Sequence, residues 1–271
     1  MRERLSNEIC RFVREDQGNR FPDSDQPYFD QPLIGFASAA DPLWLQYKQI
    51  IGPFHRTPCE ILPTAATVIS WVAPITRATR ESNRKQSGLP SREWAQTRSF
   101  GDDFLVAMRR HLVAWLQRQG YAAVAPQLEA NWQRLTDTPV GIASTWSERH
   151  AAYAAGLGTF SLNDGLITPR GIAHRLGSVV TDWVAPATVS SRPHYQHNCL
   201  YYRSNSCKAC ISRCPVGAIT EAGHDKQRCG AFVYGNRTVE LGRQYGTPIT
   251  GCGLCQTKVP CEQQVPPSRA D

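Results

Sequence analysis

Apolar positions recur at two spacings along this chain. Near the start Leu5, Ile9, Phe12 and Val13 stand at helical intervals and Gly18 follows as a stop, which predicts a first helix. Residues 20–32, rich in Pro and Asp, read as loop. Leu33 to Ala39 reads as a short buried strand. Asp41-Pro42 then supplies an N-cap and a Pro at the first helical position of a helix running through Ile51. Thr67 to Val72 reads as a strand. The clearest amphipathic stretch is Ser99 to Gln119, where Leu105, Met108, Leu112, Trp115 and Leu116 share a face. Ser99 serves there as the expected cap, with Asp102 three residues on, and Gly120 as the stop. Tyr121 to Ala125 and Leu176 to Val184 read as strands, and Ser144 to Ala155 as a short helix. Helices and strands alternate, so the expected class is an α/β or α+β sandwich with Trp44, Trp71 and Trp115 in its core.

Composition narrows the class. The chain has 271 residues, 41% of them hydrophobic, which excludes a disordered segment. No apolar run approaches the length of a membrane span. The first residues, MRERLSNEICRFVRE, carry charge throughout and lack the apolar centre of a signal peptide, so a reducing, cytoplasmic location is expected. Ten cysteines in such a compartment point to metal rather than to a disulfide framework. The formal net charge is +7. The densest basic region, Arg77, Arg80, Arg84, Lys85, Arg92 and Arg98, reads as a solvated loop.

The cysteines are unevenly placed. Cys10 and Cys59 stand alone in the first part, Cys10 as core filler beside a helix face and Cys59 in a loop. The other eight lie between Cys199 and Cys261, beyond a stretch of Pro, Ser and Thr from Ala185 to Pro193. Two domains are therefore expected, residues 1–190 and 191–271. The core of the second is Cys207-x2-Cys210-x3-Cys214-Pro215, followed by Val216-Gly217-Ala218-Ile219, a continuation typical of bacterial ferredoxin-like domains. A further run is Cys252-x2-Cys255-x5-Cys261, with Cys229 between the two. A CxxC pair sets two thiolates on one turn, whereas the Cys before Pro ligates the other cluster in two-cluster ferredoxins. That crossing assigns Cys199, Cys207, Cys210 and Cys261 to one [4Fe–4S] cluster and Cys214, Cys229, Cys252 and Cys255 to a second. Two features depart from the usual run. Ser204 stands where a first Cys is expected, so Cys199 replaces it, and Pro260-Cys261 reverses the usual Cys-Pro order. Structural zinc and disulfides are the alternatives. Two oxidised clusters of about −2 each would bring the net charge to roughly +3 and weaken any case for nucleic-acid binding.

A glycine-rich segment precedes the cysteines: Gly156, Gly158, Gly165, Gly171 and Gly177. Gly156-Leu157-Gly158 follows a helix, so it lacks the strand context of a dinucleotide fingerprint, and no P-loop is present. The stretches Ala155-Gly156-Leu157-Gly158, Leu166-Ile167-Thr168-Pro169 and Arg175-Leu176-Gly177-Ser178-Val179-Val180-Thr181, joined to the cysteine module, resemble the epoxyqueuosine reductases and the related corrinoid reductive dehalogenases. The likeness covers roughly residues 140–262. It implies a nitroreductase-like, cobalamin-binding domain followed by a ferredoxin-like domain with two [4Fe–4S] clusters, one of them close to the corrin. Gly156, Leu157, Gly158, Ser161, Thr168, Arg170, Arg175, Gly177 and Ser178 are the expected cofactor contacts, with His174 beside them.

Two departures from the epoxyqueuosine reductases stand out. Their general-acid Asp lies six residues before the Glu that aligns with Glu148, and that position is Ile142 here. The C-terminal helical-repeat domain of the longer reductases is absent from these 271 residues. Both argue against epoxyqueuosine in tRNA as the substrate, and for a small organic or modified one. Candidate catalytic groups are Glu148, Arg149, His150 and Tyr153, on one short helix. Tyr153 can donate a proton, Arg149 can stabilise a developing anion, and His150 titrates near neutrality. The expected function is a cobalamin-dependent iron–sulfur reductase fed by ferredoxin or flavodoxin. The alternatives are an electron-transfer or reductive-activation protein without cobalamin, and a flavin-dependent reductase.

Overall fold

The computed structural model describes residues 1–189 and 194–267. The chain begins α1 (Arg2–Glu15), β1 (Leu33–Ser38), α2 (Leu43–Ile50), α3 (Pro58–Ile61), β2 (Thr67–Pro74), α4 (Arg77–Arg84), α5 (Arg92–Arg118) and β3 (Ala123–Val124). A hairpin of β4 (Arg134–Leu135) and β5 (Ala143–Ser144) leads into α6 (Glu148–Ala154). A second hairpin, β6 (Thr159–Phe160) and β7 (Leu166–Ile167), leads into β8 (His174–Thr181). The last part holds α7 (Leu200–Ser204), α8 (Ala209–Arg213), the hairpin β9 (Ile219–Thr220) and β10 (Gly223–His224), α9 (Lys226–Val233) and α10 (Asn236–Tyr245).

A four-stranded antiparallel sheet in the order β1-β2-β8-β3 forms the centre. All eight positions of β2 are buried, because helices cover both faces. Successive side chains of a strand point to opposite faces. Ile69, Trp71 and Ala73 accordingly pack with α1 and α5, through Leu5, Ile9, Leu105, Met108 and Leu112. Val68 and Val72 pack with α2 and α6, through Trp44, Tyr47, Ala151 and Ala155. Trp71 pairs across the sheet with Gly177, and a Cβ at Gly177 would stand 2.3 Å from the indole. The indole leaves no room for any side chain there. Trp44, Trp71 and Trp115 are all buried, as the pattern predicts.

Several boundaries differ from the expected ones. The long helix α5 starts at Arg92 rather than Ser99. Ser91 caps it, its Oγ accepting from the Trp94 N–H at 3.2 Å. Ser99 lies inside the helix and donates to the Ile249 carbonyl at 2.6 Å. The expected helix from Ser144 shortens to Glu148–Ala154, because Ala143 and Ser144 pair with Leu135 and Arg134. Cys59 lies in α3 rather than in a loop, where Thr57 and Glu60 form a capping box. The basic cluster is not a solvated loop. Arg77 to Arg84 form α4, and Arg80 is buried.

The expected domain border at 190/191 lies outside the described residues. The C-terminal part packs onto the rest through Leu162, Ile167 and Ile172 against Cys199, Ile219 and Val259. An ionic seam reinforces that contact. Glu262 is 1% exposed and stands 3.3 Å from Arg80 and 2.7 Å from Arg84. Arg213 reaches back across the same seam, donating to the carbonyl of Gln86 at 2.7 Å.

Candidate active site

Helix α5 carries Arg98, Asp102, Leu105, Val106 and Arg109 along one flank. That flank forms one wall of a cavity of about 470 Å³, a size that suits a small organic molecule. The end of β8 adds His174, Arg175 and Leu176, and the start of α6 adds Glu148 and Arg149. The C-terminal part closes the cavity with Phe232, Val233 and four cysteines, Cys214, Cys229, Cys252 and Cys255.

Its polar groups form three sets. Glu148 accepts from Arg109 Nη2 at 3.3 Å and from Ser178 Oγ at 2.6 Å, and Trp146 Nε1 donates to the same Ser178 hydroxyl at 2.9 Å. Burial raises the pKa of Glu148, against the pull of the Arg109 guanidinium. Asp102 is shared by two arginines: Arg98 pairs with it one helical turn away, and Arg175 Nε lies 3.3 Å off. Burial lowers Arg175 to about 10. Asp164, with a left-handed φ of 60°, offers its carbonyl to Arg149 at 2.6 Å and its carboxylate to His224 at 3.4 Å. Burial pushes Asp164 up, but His224, Arg149 and Lys226 outweigh it and hold it below the ordinary value. Burial pushes His224 down, but Asp164 and Cys229 outweigh it and raise it to about 9.

The eight C-terminal cysteines fall into two sets. Cys199, Cys207, Cys210 and Cys261 line one small pocket behind the cavity. Cys214, Cys229, Cys252 and Cys255 stand on the cavity wall. These are the two groups that the crossed spacing predicts. One turn of α8 joins them, with Cys210 inside the helix and Cys214 capping its end. Burial and neighbouring thiols raise Cys210 and Cys252 to about 12 and raise Cys255 and Cys261 as well. Without a positive centre such thiols stay protonated at neutral pH, whereas metal binding deprotonates them. Backbone N–H groups also turn toward the sulfurs. That of Ala218 donates to Cys214 Sγ at 3.2 Å, and Cys252 is flanked by Gly251 and Gly253, both in the left-handed region. Such turns of N–H groups form the anion-holding concavities found at iron–sulfur sites. Among the described residues no three His, Cys, Asp or Glu side chains gather closely enough for a single metal ion. The ten cysteines are all free thiols.

The remaining expected residues divide. Glu148, Arg149 and Arg175 line the cavity, with His174 beside them. His150 and Tyr153 do not. His150 bonds Ser147 Oγ at 2.8 Å and packs among Tyr47 and Phe160, and burial holds its pKa well below the ordinary value. Tyr153 packs on Phe160. Gly156, Leu157, Gly158, Thr168, Gly177 and Ser178 are also absent from the cavity wall. A Cβ at Gly158 would stand 2.4 Å from the Ile167 carbonyl oxygen, so the chain itself requires a glycine there. Thr168 Oγ1 bonds the Gly171 carbonyl at 2.9 Å, and Arg170 lies 3.4 Å from Asp30. Ser161 borders the small cysteine pocket instead, and Ser178 acts on the cavity through Glu148. The sequence reading missed Asp102, Arg109, Asp164 and His224. The polar flank of α5, with Arg98, Asp102 and Arg109 at turns of one helix, is the signal that could have found the first two.

No family model matches the chain. The epoxyqueuosine reductase of Synechococcus sp. (strain RCC307) is 30% identical over 165 residues, 60% of this chain and 45% of that protein. The matched stretch is thus less than half of the length of that relative. A solved epoxyqueuosine reductase, described with an epoxyqueuosine-modified tRNA stem loop, superposes over 98% of this chain and 68% of its own with a TM-score of 0.57 at 19% identity. A reductive dehalogenase, described for B12-dependent dehalogenation, superposes over 86% of this chain and 30% of its own with a TM-score of 0.53 at 16% identity. The expected resemblance therefore holds, in sequence for the epoxyqueuosine reductases and in fold for both groups. No helix among the described residues is long and apolar enough to cross a membrane.

Proposed function

We propose that this chain, similar to the epoxyqueuosine reductases in sequence and fold, is an iron–sulfur oxidoreductase that reduces an organic ligand held in the cavity. The observation that carries the reading is the position of Cys214, Cys229, Cys252 and Cys255 on the cavity wall, with the second set of four one helical turn behind. The donor chemistry fits: eight thiols in two sets, backbone N–H groups aimed at sulfur, and Arg213 beside Cys252 and Cys255. Loaded with [4Fe–4S] clusters, these sets would supply single electrons to whatever the cavity holds.

Reduction also needs protons. Glu148 is the group we assign to that task, because burial favours its protonated form and Arg109 and Ser178 fix its orientation. Arg149 is held at the wall by Asp164 and stands ready for negative charge that develops on the ligand. Ile142, at the place of the family's acid, packs close to Gly230 of α9 and holds no proton. His150 and Tyr153 have no part in this scheme.

A corrin in the cavity is the finer reading, and the B12-dependent relative favours it. Gly177 and Gly158 are already required by the close approach of Trp71 and Ile167, so their being glycine does not by itself speak for a corrin. The expectation against epoxyqueuosine in tRNA finds no support, because a curated relative is named for that reduction. Epoxyqueuosine therefore stands beside small organic compounds as a substrate to test, and ferredoxin or flavodoxin as the donor.

The test is anaerobic purification and reconstitution, with iron, sulfide, zinc, cobalt and flavin quantified together. About eight iron atoms per chain are expected, in two clusters reducible by dithionite. Stoichiometric zinc without iron would overturn the proposal. Cobalt retained after gel filtration would add the corrin, and releasable flavin would put the flavin reductase in its place.

A further inference from the structure

The cavity holds more positive charge than it neutralises. Arg98, Arg109, Arg149 and Arg175 face it, against the carboxylates of Asp102 and Glu148. Glu148 is taken by Arg109, and Asp102 is divided between Arg98 and Arg175. The cysteines draw on other cations. Arg213 and His224 sit against them, and no cysteine is among the groups that act on Arg175. Arg98 also leans toward them, since a Cβ at Gly251 would stand 3.0 Å from its Cγ. Arg175 thus shares its one carboxylate with a second guanidinium. Its Nη2 is shielded from solvent and finds no acceptor among the described residues, and the same holds for Arg109 Nε. A buried donor without an acceptor costs about 1–3 kcal/mol, a cost that a ligand able to reorient it would remove. Around these groups the wall is apolar, with Leu105, Leu176, Phe232 and Val233.

We infer that the cavity ligand is an organic anion: an apolar body against Leu105, Leu176 and Phe232, and a carboxylate paired with Arg175 beside Asp102. The inference rests on reading the cavity as the ligand site and names the class of compound it takes. A planar guanidinium suits a carboxylate, which it can meet through two parallel N–H groups. Asp102 holds Arg175 through Nε at 3.3 Å, while Nη2 has no acceptor among the described residues.

The probes are benzoate and benzamide, its uncharged counterpart of the same shape, titrated calorimetrically into anaerobically reconstituted protein. Benzoate should bind at least tenfold more tightly. Arg175→Gln should abolish that preference, Arg175→Lys should keep part of it, and Arg77→Gln, on the exposed face of α4, should leave it intact. Equal binding of the two probes, binding of neither, or a preference that survives Arg175→Gln overturns the inference. Iron content and the EPR of the reduced protein, measured on the same samples, report on the oxidoreductase reading separately. A benzoate preference in protein that takes up no iron would sink that reading and leave the anion seat standing.

Discussion

Replacing Glu262 by Ala should unfasten the C-terminal part from α4. Glu262 is 1% exposed and meets Arg80, whose side chain is 8% exposed, at 3.3 Å. It also meets Arg84 and accepts from the Lys258 N–H at 2.7 Å. Arg84 is 38% exposed, so water takes over its charge when the carboxylate goes, and its share is small. Arg80 has no such relief. Burial already lowers its pKa against the pull of Glu262, so the variant leaves a buried guanidinium with its main carboxylate gone. Breaking a buried pair from one side costs about 3–5 kcal/mol. At about 2–4 °C per kcal/mol for a chain of this size, the melting temperature should fall by roughly 6–20 °C. Thermal unfolding followed by circular dichroism, at matched iron content because Cys261 is adjacent, measures it. Glu262→Gln keeps an acceptor for Lys258 but not the charge, so it should lie between parent and Ala. A shift below about 2 °C for Glu262→Ala would refute the seam as a structural element and leave only apolar contact holding the two parts together.

Three further outcomes are expected. Gly177→Ala places a Cβ 2.3 Å from the Trp71 indole and should cost about 1–3 kcal/mol by overpacking, read from the denaturant midpoint. His55 and His174 are buried and both lowered to about 4, so the unfolded chain binds more protons than the fold between their unfolded value near 6.5 and that point. Their contribution is complete above about pH 6.5 and should be lost as the pH falls toward 4, visible as a falling melting temperature that His174→Gln makes shallower. Cys199→Ser should remove roughly half of the bound iron, whereas the exposed Cys59→Ser should remove none.

Much of this architecture was legible in the sequence, and the limits have physical causes. Short buried runs found the strands β1, β2 and β8 and helical spacing found the helices α1 and α5, because each packs into the core around the same sheet. The division of the cysteines was legible for a similar reason: CxxC and Cys-Pro are local constraints on where a sulfur can point. The cavity was not. Its wall is polar along one flank of α5, and a pattern read for apolar residues passes over Arg98, Asp102 and Arg109. Two of the glycines have a reason inside the chain itself. Gly177 and Gly158 lack side chains to admit an indole and a carbonyl of this same chain, and only the paired register shows what fills the space.

The net charge of +7 acquires a specific meaning from these placements. A basic chain suggests a polyanion partner when its cations stand free on the surface. Here many of the arginines hold the molecule together. Arg80 and Arg84 clasp Glu262. Arg213 binds the carbonyls of Leu254 and Thr257 at 3.2 and 3.1 Å, in the turns between Cys252 and Cys261, and of Gln86 across the seam. Within the cluster that reads as a solvated basic patch, Arg80 and Arg84 are therefore tied to the residue that follows Cys261. A guanidinium with several N–H donors can tie carbonyls from distant segments at once, which an apolar contact cannot do with the same angular definition. Two sets of thiols brought together from sequence-distant turns need that definition.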